Sequence, residues 1–247
     1  MGEMEDNRNR NGFSLNRRKL LKALSGGVIL FLSDIKLNAQ ERGQSGSALS
    51  VDAPSKYTET IAVLESSYRE EIRAHLSYSA YAPKAIAENY PNIAHLFSSF
   101  AVSESIHAEI FKKLLSDLGA EAKETPKPEI KISATKENLN MAAKMELWHI
   151  DQFYPQSIEK AKLENHEGTI GNLNYAWETE KQHRGLLKKI QSGTGILFKL
   201  LAKKFEETPA RYFVCQVCGS TLTELPKDVC PICKVPVSQF KEVERIR

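Results

Sequence analysis

From Ile61 to Ala82 apolar side chains return every three or four positions (Ile61, Leu64, Tyr68, Ile72, Tyr78, Ala82), the spacing of one buried helical face. Glu71 interrupts this stripe and His75 follows one turn later. Asn89-Tyr90-Pro91-Asn92 ends the pattern, because proline fits a helix's first turn and disfavours helix before it. A second helix is predicted with Ile93, Phe97, Phe100, Ala101, Phe111 and Leu114 on the same face as Glu104 and His107, stopping at Leu118-Gly119. Pro126, Pro128 and several charges between Ala120 and Ser133 predict a long surface crossover. A third helix then carries Leu139, Ala142, Glu146, His149 and Phe153, with a kink at Pro155. The fourth carries Ile170, Leu173, Trp177, Glu180, Leu187 and Ile190 until Gly193 and Gly195 break it. A short helix from Ile196 to Phe205 and a joint at Glu206-Glu207-Thr208-Pro209 complete the helical part.

Acids on apolar faces change the picture. Glu104-Ser105-Ile106-His107, Glu146-Leu147-Trp148-His149 and Glu180-Lys181-Gln182-His183 share one form, and three of the six histidines stand at these positions. A Glu and a His three residues apart on a helix lie one above the other and can serve a single metal centre. Glu71 precedes Glu104 by 33 residues and Glu146 precedes Glu180 by 34, which suggests two similar helix pairs. Four carboxylates on inner faces repel one another unless cations sit among them. Mixed carboxylate and imidazole donors suit iron or manganese, with zinc admissible by donor type. A bundle of neutralised or salt-bridged acids is the competing reading. His75 reads as packed or exposed, and His95 and His166 as solvated.

The four cysteines all fall between residues 215 and 233, as Cys215-Gln216-Val217-Cys218-Gly219 and Cys230-Pro231-Ile232-Cys233. Two such knuckles place four thiolates around one metal, which supplies folding energy to a segment with little room for a core. The spacing leaves iron tetrathiolate, zinc ribbon and disulfides open, while the flanking Tyr212, Phe213 and Phe240 lean toward iron.

The net charge of +3 comes from the first 39 residues, which hold seven Lys or Arg against four Asp or Glu. No basic face remains to argue for nucleic acid. Asn16-Arg17-Arg18-Lys19-Leu20-Leu21-Lys22 precedes an uncharged run, Ala23 to Leu32, that is too short to span a bilayer. This resembles a twin-arginine export signal, with Leu37-Asn38-Ala39 as an imperfect cleavage site. It predicts recognition by the twin-arginine machinery and a periplasmic location, tethered to the membrane if the segment is retained.

Tyr90-Pro91-Asn92-Ile93-Ala94, Glu104-x-x-His107, Glu146 ahead of Tyr154-Pro155, and Glu180-x-x-His183 together resemble rubrerythrin, a ferritin-like di-iron protein. Cys233-Lys234-Val235-Pro236 is similar to part of the rubredoxin signature. The resemblance implies a mainly α fold, a ferritin-like four-helix bundle followed by a small rubredoxin-like metal-knuckle domain. The expected divisions are a signal segment at 1–39, a linker at 40–56, the bundle at 57–191, a connecting helix and joint at 192–209, and the cysteine domain at 210–247. It further implies two non-haem irons on Glu71, Glu104, His107, Glu146, Glu180 and His183, with Glu104 and Glu180 bridging and Tyr78 and Tyr154 beside the metals. A third iron is implied on Cys215, Cys218, Cys230 and Cys233. His149 stands where the family has a further Glu; as a ligand there it gives less negative charge to ferric iron, predicting a raised potential and an altered peroxide reaction.

The implied activity is reduction of hydrogen peroxide to water, with electrons relayed by the tetrathiolate iron. The resemblance also implies a homodimer or larger assembly in which the two centres approach between subunits. Family reducing equivalents come ultimately from NADH, so an exported form needs another donor, which the sequence does not name. Iron oxidation and storage, or a non-catalytic bundle with a structural zinc ribbon, are the alternatives.

Overall fold

The apolar stripes become four long helical rods in a computed structural model that describes residues 56–123, 128–191 and 196–246. The expected export segment and most of the linker lie outside the described residues. Helices α1 (Thr58–Ala87) and α2 (Pro91–Asp117) form the first antiparallel pair. The third rod is composite: α3 (Thr135–Trp148), a π-helical segment (His149–Phe153) and α4 (Tyr154–Lys162), followed by α5 (Glu167–Gln191). Helix α6 (Ile196–Glu206) packs on α2 and α5.

Helix ends follow the local chemistry. Asn89 and Gly119 adopt left-handed backbone at φ 64° and 72°. After each, the next N–H reaches back to a carbonyl five residues earlier, Tyr90 to Ala85 and Ala120 to Leu115, both at 2.9 Å. This is a Schellman closure, made with Asn in the first case and Gly in the second. Pro91 then occupies the first turn of α2, where no N–H is needed.

The N-termini of α1, α2 and α3 have no side-chain cap of their own. Each receives a glutamate from a distant part of the chain. Glu164 accepts from Glu59 N and Thr60 N at 3.0 and 2.8 Å. Glu206 accepts from Asn92 N and Ile93 N at 2.7 and 3.0 Å, and Glu88 accepts from Thr135 N at 2.8 Å. Free N–H groups and the positive helix end make a carboxylate favourable at each place, so these contacts tie the rods together as well as starting them.

The kink expected at Pro155 takes the form of the π segment. Tyr154 N donates to His149 O, a bond spanning five residues. Pro155 has no N–H for the next carbonyl, that of Ile150, which instead accepts the Trp177 indole N–H at 2.9 Å.

Two apolar clusters fill the bundle. One contains Tyr78, Phe97, Phe100, Leu139 and Leu187. The other contains Leu64, Phe111, Leu115, Tyr154 and Leu173. Beyond α6, strands β1 (Phe213–Cys215), β2 (Thr221–Leu222) and β3 (Phe240–Glu242) form an antiparallel sheet with β1 central. Phe213 pairs with Leu222 on one side and Cys215 with Phe240 on the other. Phe213 and Phe240 pack with Cys215, Cys218 and Cys230 into a third, small core.

His95 is not solvated: it is 2% exposed. The C-terminal segment returns over α2, so the ring takes Val243 O at 2.9 Å and packs edge-on against Tyr212. His75 is packed, with Nδ1 2.7 Å from Ala101 O. His166, half-buried, sits with Nδ1 2.8 Å from Thr169 Oγ1, just before α5.

Candidate metal centre

Each rod of the bundle turns one acid inward: Glu71 from α1, Glu104 from α2, Glu146 from α3 and Glu180 from α5, all 0–1% exposed. His107 and His183, one turn along from Glu104 and Glu180, are equally buried. Their donor atoms converge as two overlapping sets, Glu71/Glu104/His107/Glu180 and Glu104/Glu146/Glu180/His183, each within 4.8 Å. Glu104 and Glu180 belong to both. His107 Nδ1 lies 3.0 Å from Glu104 and 3.5 Å from Glu71. His183 Nδ1 lies 3.1 Å from Glu104 and 3.6 Å from Glu180.

The two tyrosines singled out from the sequence close the cluster from opposite sides. Tyr78 Oη donates to Glu146, and Tyr154 Oη donates to Glu71. His149, on the π segment, is also buried, with Nδ1 3.8 Å from Glu180. It stands beside the two converging sets rather than within them.

Burial without partners gives the cluster its electrostatic character. One oxygen each of Glu71 and Glu146, both oxygens of Glu104 and Glu180, and Nδ1 of His107 and His183 make no aligned hydrogen bond, although the two nitrogens lie at ion-pair distance from Glu104. Burial, reinforced by Glu104 and Glu180, pushes the Glu71 carboxyl up to about 7 against the pull of His107. Burial and Glu180 hold Glu146 well above the usual carboxylate range. Burial acts upward on Glu180 too, but its contacts with Glu146, His149 and His183 bring it well below that range.

On the histidines burial disfavours the charged form, yet the surrounding acids overcome it. His107 is raised well above the usual imidazole value, His183 to about 9 and His149 to about 10. The surrounding acids thus favour the protonated imidazoles where no metal is bound, and a divalent pair would compete with those protons. Unpartnered hard oxygens and imidazole nitrogens are the donor set that iron takes, so the residues fit such a pair.

The second centre is built by the small sheet and its two knuckles. All four cysteines are free thiols rather than disulfides. Cys215 and Cys233 Sγ are 3.8 Å apart, and Cys218 and Cys230 Sγ 3.6 Å. A tetrahedron of sulfurs at a metal–sulfur distance near 2.3 Å has edges of about 3.8 Å, so the spacing fits one tetrathiolate metal. The hydrogen bond from Cys218 holds the Cys215 thiol down to about 5.

The two centres touch. Cys218 O lies 3.2 Å from His107 Nε2 and accepts Thr179 Oγ1 at the same distance. Ser103 Oγ donates to Gly219 O at 2.8 Å, Gln182 accepts from Ser220 Oγ and Thr221 N, and His183 Nε2 meets Thr221 Oγ1 at 3.2 Å. Gly219 has φ 75°, and a Cβ there would sit 2.4 Å from His107 Nε2. The resemblance puts this approach between subunits; here it is made within one chain, because α6 returns along α2 and is fixed there by Glu206.

The family model described as rubrerythrin matches residues 62–191, and that described as the rubrerythrin rubredoxin-like domain matches residues 213–241. Rubrerythrin-2 of Clostridium acetobutylicum is 30% identical over 179 residues, covering 72% of this chain and 93% of that protein. The chain belongs to the rubrerythrin family.

Among other rubrerythrin-type proteins, nigerythrin of Nitratidesulfovibrio vulgaris is 26% identical over 195 residues, 76% of this chain and 89% of that one. The fold matches the fully reduced, all-ferrous structure of nigerythrin with a TM-score of 0.63 at 22% identity, over 85% of this chain and all of that one. A bacterioferritin from Desulfovibrio desulfuricans matches the fold at a TM-score of 0.57 and 22% identity, over 62% of this chain and 90% of that one. Rubrerythrin domains hold a di-iron site and their rubredoxin-like domains an iron on four cysteines, and both donor sets are present here.

Sequence reasoning missed the residues that join the centres. Ser103, Thr179 and Gln182 read as ordinary polar positions beside the motif residues. Gly219, directly after the first knuckle, was the one available signal. Glu70 was missed as well, although it adjoins Glu71: its carboxylate lies 3.9 Å from His149 Nε2.

Proposed function

We propose that this protein is a di-iron peroxidase that reduces hydrogen peroxide to two waters, consuming two electrons and two protons. The observation that supports it best is the hydrogen-bonding contact between Cys218 O and His107 Nε2, which joins a closed tetrathiolate site to a buried carboxylate–imidazole cluster. The di-iron site, when bound, supplies Lewis acidity and the two electrons for O–O cleavage. A four-cysteine site has no open position, so its role in this reading is to return electrons one at a time.

The chain's own residues set the conditions. Glu71, Glu104, Glu146 and Glu180, with His107 and His183, would hold the metal pair, Glu104 and Glu180 being the residues that belong to both converging sets. Tyr78 and Tyr154 hold Glu146 and Glu71 in place through their hydroxyls. Burial keeps both phenols protonated far above neutrality, so they remain hydrogen-bond donors. The Phe100 ring against His183, at 4.2 Å, helps exclude bulk water from the cluster.

Stopped-flow mixing of the reduced, iron-loaded protein with peroxide tests the reading. Rapid oxidation of the di-iron chromophore followed by oxidation of the ferrous tetrathiolate supports it. Slow reaction with peroxide but oxygen-driven accumulation of ferric mineral assigns the protein to iron storage instead. Cys215→Ser is expected to spare the first oxidation and abolish steady-state turnover.

We also propose export by the twin-arginine route, on the strength of Arg17-Arg18 and the uncharged run behind them. Replacing both arginines with lysine is expected to retain the protein inside the cell. Undiminished export of the doubly substituted chain refutes this.

A further inference from the structure

The three histidines that face the buried acids share one orientation. Each points Nδ1 at the acidic cluster and Nε2 away from it. For His107 the atom facing Nε2 is Cys218 O and for His183 it is Thr221 Oγ1, both at 3.2 Å. For His149 it is Glu70 Oε2, at 3.9 Å. A neutral imidazole that binds metal through one nitrogen carries its proton on the other, and a buried N–H needs an acceptor.

The surroundings of His149 leave Glu70 in that role. Trp148, Phe153 and Tyr154 stand around the ring at centroid distances of 5.3, 5.6 and 5.8 Å. The Tyr154 hydroxyl is directed at Glu71. Nε2 itself is buried and makes no hydrogen bond. Glu70 is only a quarter exposed and is braced by Arg73, whose Nε lies 3.0 Å from the same oxygen that faces His149.

We propose that Glu70, braced by Arg73, is the positioning residue of a third imidazole ligand: its carboxylate accepts a hydrogen bond from His149 Nε2–H and so commits Nδ1 to the metal pair. This rests on reading the acidic cluster as a metal site. His107 and His183 face neutral oxygens at 3.2 Å, whereas His149 faces a carboxylate at 3.9 Å; a hydrogen bond closed across that gap would make His149 the most electron-donating imidazole of the three. Glu70 and Glu71 are consecutive on α1, so one helix turn supplies a metal-binding carboxylate inward and the anchor of a ligand sideways.

Cobalt(II) in place of iron gives a readout independent of turnover. In the full-length protein loaded with Co(II), each imidazole bound through Nδ1 shows its Nε2–H as a strongly shifted, exchangeable proton resonance in water. Three such resonances are expected. His149→Gln removes one. Glu70→Ala removes the same one through exchange with solvent and weakens Co(II) binding to the acidic cluster by about 10-fold. Glu70→Gln, which keeps an acceptor oxygen, restores the resonance at a different shift.

Two resonances in the unsubstituted protein, or three that persist in Glu70→Ala, overturn the assignment. If Co(II) enters only the four-cysteine site, giving thiolate charge-transfer bands alone, the metal-pair reading fails first and this inference with it.

Discussion

At the scale of single residues, the cluster is a set of charges that compensate one another through protons until metal replaces them. Glu71 has a folded value raised to about 7, so its burial favours the protonated form, and stability is lost as pH rises from the unfolded carboxylate value through about 7. His183 and His149 are raised to about 9 and about 10; what they contribute is complete below the unfolded imidazole value and is lost as pH climbs through those figures. Glu104 and Glu180, both lowered, act in the opposite sense, and their contribution disappears only in acid. The metal-free protein is therefore expected to melt at progressively lower temperature from slightly acid to alkaline pH. The metal-loaded protein should hold its melting temperature across that range, since ionised carboxylates are what the cations require. Calorimetric scans of both forms check this, and a metal-free form that gains stability with pH contradicts it. The convergence of the buried acids and histidines was legible in the sequence because an acid on an apolar stripe must meet a cation or a proton inside the fold. Glu70 was not, since one more acid on a charged helix carries no mark of the histidine it meets across the bundle.

At the scale of elements, distant glutamates start three helices that have no cap of their own. Glu206 is the most consequential, because it joins α6 to the first turn of α2 and thereby fixes the approach of the cysteine module. Glu206→Ala is expected to cost about 1 kcal/mol, in the range of a lost N-cap, with the tetrathiolate spectrum unaltered. Denaturant unfolding measures the cost, and a change below a few tenths of a kcal/mol means that water replaces the carboxylate without penalty. The helices themselves were readable from periodicity and their ends from Asn89, Pro91 and Gly119. These long-range caps were not, because propensity describes neighbours along the chain while Glu206 lies 114 residues from Asn92. His95 was misread for the same reason: the segment that covers it arrives from the far end of the chain.

At the scale of the whole molecule, the bundle and the cysteine module meet through Gly219. Gly219→Ala forces a Cβ against His107 while also straining a left-handed backbone. Both metal centres should load normally, whereas steady-state peroxide turnover should fall on the order of 10- to 100-fold from misplacement of the two. Equal turnover shows that electrons pass elsewhere. Contact within one chain makes a further demand on mixtures. Chains carrying Glu180→Ala, co-assembled with chains carrying Cys215→Ser, should not regain turnover, because neither chain holds both centres. Recovery in such mixtures shows that the module serves a neighbouring subunit.

The π segment sets a phase relation that an uninterrupted third helix would lack. Glu146 and Tyr154 are eight residues apart, which on a regular α-helix leaves them about 80° out of alignment. One residue absorbed by the wider turn brings them to within about 20° of each other, so both look into the same interior. Rewinding the same residues into regular α-helix would swing one half of the rod's inward-facing groups away from the other, whereas cutting a single residue from between His149 and Phe153 would remove the wider turn and leave the two halves in phase.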